Sequence, residues 1–328
     1  MLKKIAIQCG VAVSTVSTAF HHPEKISQGT RDRIFEVAHQ LGYFSHKYKI
    51  KSIGICAYGL DKVMWSEFYT HILEGIITES EKQGILLKFF SIKSTFSYET
   101  LQDVSGMIFL GKIPTLILNR MTQLKIPYML CADPNIEVQS NAIYFDNQKG
   151  AFLATDYLIS KGHHHIAIIL SDDTHDFVSQ ERLNGHQAAL KKHGFLFLDS
   201  SIFYGDYENF DTLETVLGQI IQTNPLITAI FCESDVFAYK ILSLASKFSI
   251  RIPQDMSIIG FDGISFPKIY FENNQILTTI ETDMIDLGRQ AFNQIKKIIS
   301  ERDQSVKSII LPVKLVVGNT VASCLTAP

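Results

Sequence analysis

The chain reads as a small all-α helix-turn-helix head joined to an α/β body of two doubly wound, parallel-sheet subdomains. Three observations predict this. Residues 5–41 carry apolar positions at helical spacing around one glycine corner. From Ile53 onward, short apolar runs alternate with amphipathic segments. Positive charge is concentrated at the N-terminal end.

In the head, Ile5, Ala6 and Cys9 form one helical apolar set and Val13, Val16 and Phe20 a second. Gly10 lies between them, where a tight inter-helix corner needs a left-handed backbone. The second helix leaves Ser14, Thr15, Ser17 and Thr18 to face outward, and short hydroxyl side chains at a helix start reach phosphates and base edges in a major groove. Two small amphipathic helices around a glycine also occur in proteins that never meet DNA, so these residues alone leave both readings open. After a loop at His21-His22-Pro23-Glu24-Lys25, Ser27 is placed to cap a third helix. Its Ile34, Val37, Ala38 and Leu41 share one face, and Gly42 stands at its C-terminal end. Residues 44–51 then alternate polar and basic. This linker places Lys47, Lys49 and Lys51 where they can follow a phosphate backbone.

The charge distribution agrees with that division. Residues 1–52 hold eight Lys and Arg against Glu24, Asp32 and Glu36, a net +5, which leaves −8 for the remainder of a chain whose total is −3. A basic head on an acidic body restricts contact with nucleic acid to the head.

In the body, strands are expected at 53–57, 86–90, 106–110, 128–131, 143–145, 166–170, 202–204, 229–232 and 256–260. Helices are expected at 68–83, 147–161, 180–193, 212–223 and 234–248. Alternating units of this kind build parallel sheets covered on both faces, and about 275 residues exceed one comfortable core.

Several function classes find no support. The five cysteines are scattered, without a C-x-x-C pair, and read as reduced core residues. No signal-peptide pattern and no bilayer-length apolar run is present, so a cytoplasmic protein without membrane contact is expected. His163-His164-His165 suggests a metal, but the run leads directly into a strand. Ser265 lacks the second glycine of a nucleophile elbow, and no phosphate-binding loop of the G-x-x-x-x-G-K-[ST] type exists. No cofactor is called for.

Ile5-Ala6, Gly10-Val11, Thr15-Val16-Ser17, Ile26-Ser27, Thr30-Arg31 and Leu41-Gly42-Tyr43 stand in the head; Phe145-Asp146-Asn147, Gly162-His163 and Arg182-Leu183-Asn184-Gly185 stand in the body. They are followed by Ile252-Pro253-Gln254-Asp255, Ile259-Gly260-Phe261-Asp262, Leu277-Thr278-Thr279-Ile280 and Leu311-Pro312-Val313. In this order and spacing the chain resembles the lactose/galactose repressor family of bacterial transcription regulators. The resemblance implies a periplasmic-binding-protein-like body and a homodimer whose heads read a near-palindromic operator DNA. It also implies a small effector, usually a sugar, bound between the body subdomains.

The resemblance further implies that the chain crosses between subdomains near Ala154, Thr282 and Leu311. The expected domains are then a head at 1–46, a linker at 47–52, one subdomain at 53–154 with 283–311, and another at 155–282 with 312–328. DNA contacts fall to Val13, Ser14, Thr15, Ser17, Thr18, His21, Lys47 and Lys49. Departures are present: Ala12 replaces the family's N-cap serine, a loss of about 1 kcal/mol, and Thr18 stands where an arginine is common. The interval from Tyr43 to Ile53 is too short for the family's hinge helix. Some members with shortened, Lys-rich linkers regulate the use of galactosides and related sugars, and the chain resembles those.

For the effector, Arg182 matches the family's binding arginine, a planar fork that can grip two hydroxyls or a carboxylate. Asp262 closes a strand run, where doubly wound sheets bind ligands; its other role is to cap the turn at Gly263. Asp235, with Ser234 before it, is either a ligand group or a helix cap. Tyr207 matches a stacking aromatic, since the apolar face of a sugar packs on a ring. Trp65, Phe68 and Tyr69 occupy the first strand-to-helix loop, with core packing the other role of Phe68. Asp133 is one position from the family's acidic residue, whose own place is taken by Ala132. The competing readings are a sugar-binding protein without a DNA role and a cytosolic α/β enzyme, for which no paired acid and base stand at a defensible spacing.

Overall fold

The computed structural model describes residues 1–22, 25–41, 43, 50–57, 66–91, 96, 98–135, 137–172, 176–207, 209, 211–223, 226–264, 276–301 and 306–324. The chain divides into two compact units, Met1–Tyr144 with Met284–Ile309 and Phe145–Asp283 with Ile310–Pro328.

The first unit begins with α1 (Leu2–Cys9), α2 (Val13–His21) and α3 (Gln28–Gln40). Gly10 ends α1 at φ 62°, and its N–H is donated back to the last turn, so the corner has the left-handed geometry that glycine supplies without strain. Ile5, Ala6, Cys9, Val16, Ala19, Ile34, Phe35 and Ala38 are buried. Phe20 meets Phe35 edge-on at 5.1 Å and stacks on Tyr43 at 4.8 Å. Val13 belongs to the second apolar set by spacing and is also an expected DNA contact. It is 40% exposed, and Ala19 fills the buried position beside Val16.

Then follow β1 (Ser52–Ala57), α4 (Glu67–Gln83), β2 (Leu86–Ser91), α5 (Tyr98–Leu101), β3 (Gly106–Leu110), α6 (Thr115–Leu124), β4 (Tyr128–Cys131) and β5 (Ala142–Phe145). β1, β3 and β4 are buried almost throughout, as strands covered on both faces must be.

The second unit carries α7 (Asn147–Ser160), β6 (Ile166–Ser171), α8 (Phe177–Lys192), β7 (Ile202–Gly205), α9 (Thr212–Thr223), β8 (Ala229–Cys232), α10 (Asp235–Ala245), β9 (Ser257–Asp262) and β10 (Thr278–Glu281). The chain returns to the first unit in α11 (Met284–Glu301), which packs on α4, and in β11 (Ser308–Leu311). It ends with β12 (Lys314–Val316) in the second. One sheet has the order β11-β5-β4-β3-β1-β2 and the other β12-β10-β9-β8-β6-β7. In the second sheet only β12 runs antiparallel, its Leu315 opposite Ile280.

The first boundary precedes α7 instead of falling near Ala154. Asp146 caps α7 through Lys149 N at 2.9 Å, and Ala151, Ala154 and Leu158 all bury into the second unit's core, so the helix enters it whole. The expected helix at 180–193 begins three residues earlier, because Asp176 Oδ2 accepts from Ser179 N at 2.8 Å and so fixes the helix start.

α7 and α8 cross at Gly185, where an added Cβ would stand 2.1 Å from the Gln148 carbonyl oxygen. Gly185→Ala therefore forces the two helices apart. A loss of about 1–3 kcal/mol is expected from overpacking, read as a lower urea midpoint for the second unit.

Candidate functional site

On α2, Ser14 is exposed and Thr15, Ser17 and Thr18 are half-buried, while Val16 and Ala19 face the core. Ala12 occupies the N-cap position with no side-chain hydrogen bond. The Thr18 hydroxyl donates to the Ser14 carbonyl at 2.9 Å, which leaves its oxygen lone pairs to accept. Val13 stands on the same outer side at the helix start. The side chain of His21, together with Lys47 and Lys49, lies outside the described residues.

In the second unit the C-terminal ends of the central strands converge on Arg182, which projects from the second turn of α8 and is 6% exposed. Its Nε donates to Asn147 Oδ1 at 3.0 Å, its Nη1 to the Glu233 carbonyl oxygen, and its Nη2 to Asp262 Oδ1 at 3.2 Å. The guanidinium lies 3.8 Å above the centre of the Phe261 ring. Three of its five N–H groups are thereby placed. Glu233 directly follows β8. Its Oε2 is 2.6 Å from the Ser179 hydroxyl, and its Oε1 accepts from Tyr207 Oη at 3.1 Å. Tyr207 stacks on Phe237 at 4.2 Å and keeps 41% of its surface exposed. The cluster thus combines a positive fork, carboxyls and an aromatic face at the strand ends, where doubly wound sheets bind ligands.

Asp262 sits at φ 113°, held by Thr282, whose N–H and hydroxyl both donate to the Asp262 carbonyl at 3.1 and 2.8 Å. Its carboxyl meets Arg182, and the turn-capping role passes to Asp235. Asp235 is fully buried: Oδ2 accepts from Gly263 N and Ile264 N, both at 2.7 Å, and Oδ1 from Thr279 Oγ1 at 2.6 Å. Asp235 thus ties α10 to the turn after β9 through three donors. Ser234 is the cap of α10, its Oγ accepting from Phe237 N at 3.3 Å.

Phe68, Tyr69 and Asp133 belong to the first unit. Phe68 and Tyr69 meet edge-on at 5.2 Å in the first turn of α4, and Asp133 follows β4 after Ala132 at φ 77°. Trp65 and Ser265 lie outside the described residues. His163 is buried with both ring nitrogens engaged, at 2.8 Å from Thr228 Oγ1 and 3.0 Å from the Ala322 carbonyl, as a structural turn requires. Among the described residues no group of three His, Cys, Asp or Glu side chains is placed to hold a metal. Nor is any helix there long and apolar enough to cross a membrane.

Glu233, Asn147 and Ser179 are members of the cluster that the sequence reading passes over. Asn147 follows Asp146 at a helix start, and Glu233 lies one residue past a buried strand. Both positions are signals once strand ends are scanned for polar residues rather than for motifs.

Burial dominates the acids. It pushes the Glu233 carboxyl up to about 7 against the opposing pull of Arg182 and the Ser179 hydrogen bond. It pushes Asp262 up to about 6 despite the same arginine. Asp235 is raised well above the ordinary carboxylate range by burial and then by neighbouring Asp262. The acids and the guanidinium titrate as a set.

A family model described as periplasmic binding protein-like domain matches residues 155–321, and one described as bacterial regulatory proteins, lacI family, matches residues 1–45. The chain is similar to the HTH-type transcriptional repressor CytR of Escherichia coli, 28% identical over 306 residues that cover 89% of this chain and 87% of the relative. It is also similar to the HTH-type transcriptional repressor PurR of Vibrio vulnificus, 26% identical over 338 aligned positions covering 98% of each. Among solved structures, the transcriptional regulator CelR-cellobiose complex shares the fold, with a TM-score of 0.71, 22% identity, and 98% and 99% of the two chains covered.

Two outcomes follow from the cluster. Arg182→Ala leaves buried Asp262 without its cation and is expected to cost about 3–5 kcal/mol; adding Asp262→Asn in the same chain recovers part of that loss in urea unfolding. The second outcome concerns pH. The folded state holds the Glu233 proton up to about 7, whereas the unfolded chain releases it near 4.5. The folded state therefore binds more protons in this window, and the stability this group contributes below 4.5 is lost as pH rises to 7. Glu233→Gln removes that slope, so in urea unfolding the variant gains on wild type between pH 5 and pH 7, by about 1.4 kcal/mol per pH unit at most, and the difference levels off above pH 7.

Proposed function

We propose that the chain, whose residues 155–321 belong to the periplasmic binding protein-like domain family and whose residues 1–45 match the lacI family of bacterial regulatory proteins, is a sugar-responsive repressor, a DNA-binding transcription regulator rather than an enzyme. It acts in the cytoplasm as a homodimer whose two heads read a near-palindromic operator. The observation that carries this reading is the joint presence, in one chain, of the outward hydroxyl face of α2 and the buried Arg182 cluster at the strand ends of the second unit.

In this reading Ser14, Thr15, Ser17 and Thr18 meet base edges and phosphates in the major groove, with Val13 and His21 at the ends of the same helix. Lys47 and Lys49 add phosphate contacts from a linker shorter than a hinge helix needs, so affinity leans on electrostatics. Arg182, Asp262 and Tyr207 bind the effector, and Ser234, Asp235, Phe68, Tyr69, Trp65 and Asp133 are the further effector residues that the family resemblance implies. The shortened basic linker favours a galactoside. Relatives support the general scheme: one solved neighbour is a regulator complexed with cellobiose, and another is the lac repressor dimer bound to operator. Effector and operator affinities are then linked reciprocally through the same free energy.

Selection of bound fragments from a random duplex library tests the DNA half directly. The expected result is enrichment of a near-palindrome, with affinity that falls steeply with salt. Ser14→Ala and Thr15→Ala should each weaken the selected site by about 0.5–1.5 kcal/mol and leave random duplex binding nearly unchanged. Recovery of unenriched sequence, or of a single asymmetric half-site, contradicts the dimeric operator reading.

A further inference from the structure

Around Arg182 the buried charges do not balance. The guanidinium serves the Asp262 carboxyl, the Asn147 amide oxygen and the backbone oxygen of Glu233, while the Glu233 carboxyl itself faces hydroxyls, those of Ser179 and Tyr207. The Ser179 hydroxyl has one hydrogen and stands between two carboxyls, Glu233 Oε2 at 2.6 Å and Asp176 Oδ2 at 3.0 Å, so it can satisfy only one of them at a time. Glu233 is 2% exposed, so solvent does little to offset its charge. Beside it stands the Tyr207 ring, 41% exposed and steadied by its stack on Phe237.

A buried carboxyl short of donors next to an accessible aromatic ring suits a cation, which gains a charge-assisted hydrogen bond from the first and the quadrupole of the second. We propose that Glu233 and Tyr207 form a subsite for a protonated nitrogen, and that the effector is an amino-substituted sugar in preference to a neutral one. The inference rests on the effector reading of the Arg182 cluster and adds a chemical class to it. The two N–H groups of Arg182 not placed by Asn147, Glu233 and Asp262 take sugar hydroxyls, Glu233 accepts from the ammonium, and Asp262 beside them adds further negative potential.

Calorimetric titration of the full chain at pH 7 with matched probes tests this: galactosamine, galactose and N-acetylgalactosamine, and the three glucose counterparts. In at least one series the amino sugar should bind about tenfold or more tighter than its neutral parent, and N-acetylation, which removes the charge, should abolish the gain. Glu233→Gln keeps the hydrogen-bonding shape and should bring the amino and neutral affinities together. Tyr207→Leu removes the aromatic face and should reduce the same ratio. Equal binding of amino and neutral sugars by wild type, or a preference that survives Glu233→Gln, overturns the inference and leaves the effector site standing. If no probe of either class binds wild type, the effector reading falls and takes the inference with it.

Discussion

A guanidinium removed from water is tolerated only where several fixed acceptors surround it, and the second unit is built so that they do. Arg182 ties the start of α7, the end of β8 and the end of β9 to α8 through Asn147, Glu233 and Asp262. Each of those acceptors is positioned by something else. Asn147 is anchored to the Phe145 carbonyl, Asp262 to Thr282, and the turn after β9 to Asp235. The close crossing of α7 and α8 at Gly185 sets the distance over which the arginine works. A pre-arranged fork of this kind needs little further ordering when a ligand arrives.

The acids around it are held at the edge of ionisation. Burial opposes charge on Glu233 and Asp262, and one arginine does not cancel it for both. A site in that condition is sensitive to the charge of what enters. Under the proposed effector role, a ligand that supplies further donors there adds to the stability of the fold by mass action.

Much of the fold was legible because its signals are local. The strand runs at 106–110, 128–131 and 229–232 coincide with β3, β4 and β8, since buried parallel strands are continuous apolar segments. β10 and β12 were less visible: Thr278 and Thr279 are polar, and β12 has only three residues. Val13 looked like a core residue by spacing, yet with Val16 and Ala19 filling the core the helix start was left outside. Arg182 and Asp262 were legible through motif and strand-end position. Their pairing was not, because 80 residues separate them, and 35 and 51 separate Arg182 from Asn147 and Glu233. Asp235 shows the same limit. A carboxyl after a strand is read equally well as ligand or cap, and the three donors that the fold brings to it come from 28 to 44 residues away.

The central claim is that the Arg182 cluster is where the effector acts, and thermal unfolding across a panel of mono- and disaccharides tests it most directly when wild type is compared with Arg182→Lys. Lysine keeps a cation beside Asp262 but loses the planar fork. The account predicts that at least one sugar, supplied at 100 times its dissociation constant, stabilises wild type by about 2.7 kcal/mol and leaves the lysine variant unshifted. Equal stabilisation of both proteins, or of neither by any sugar, would contradict it.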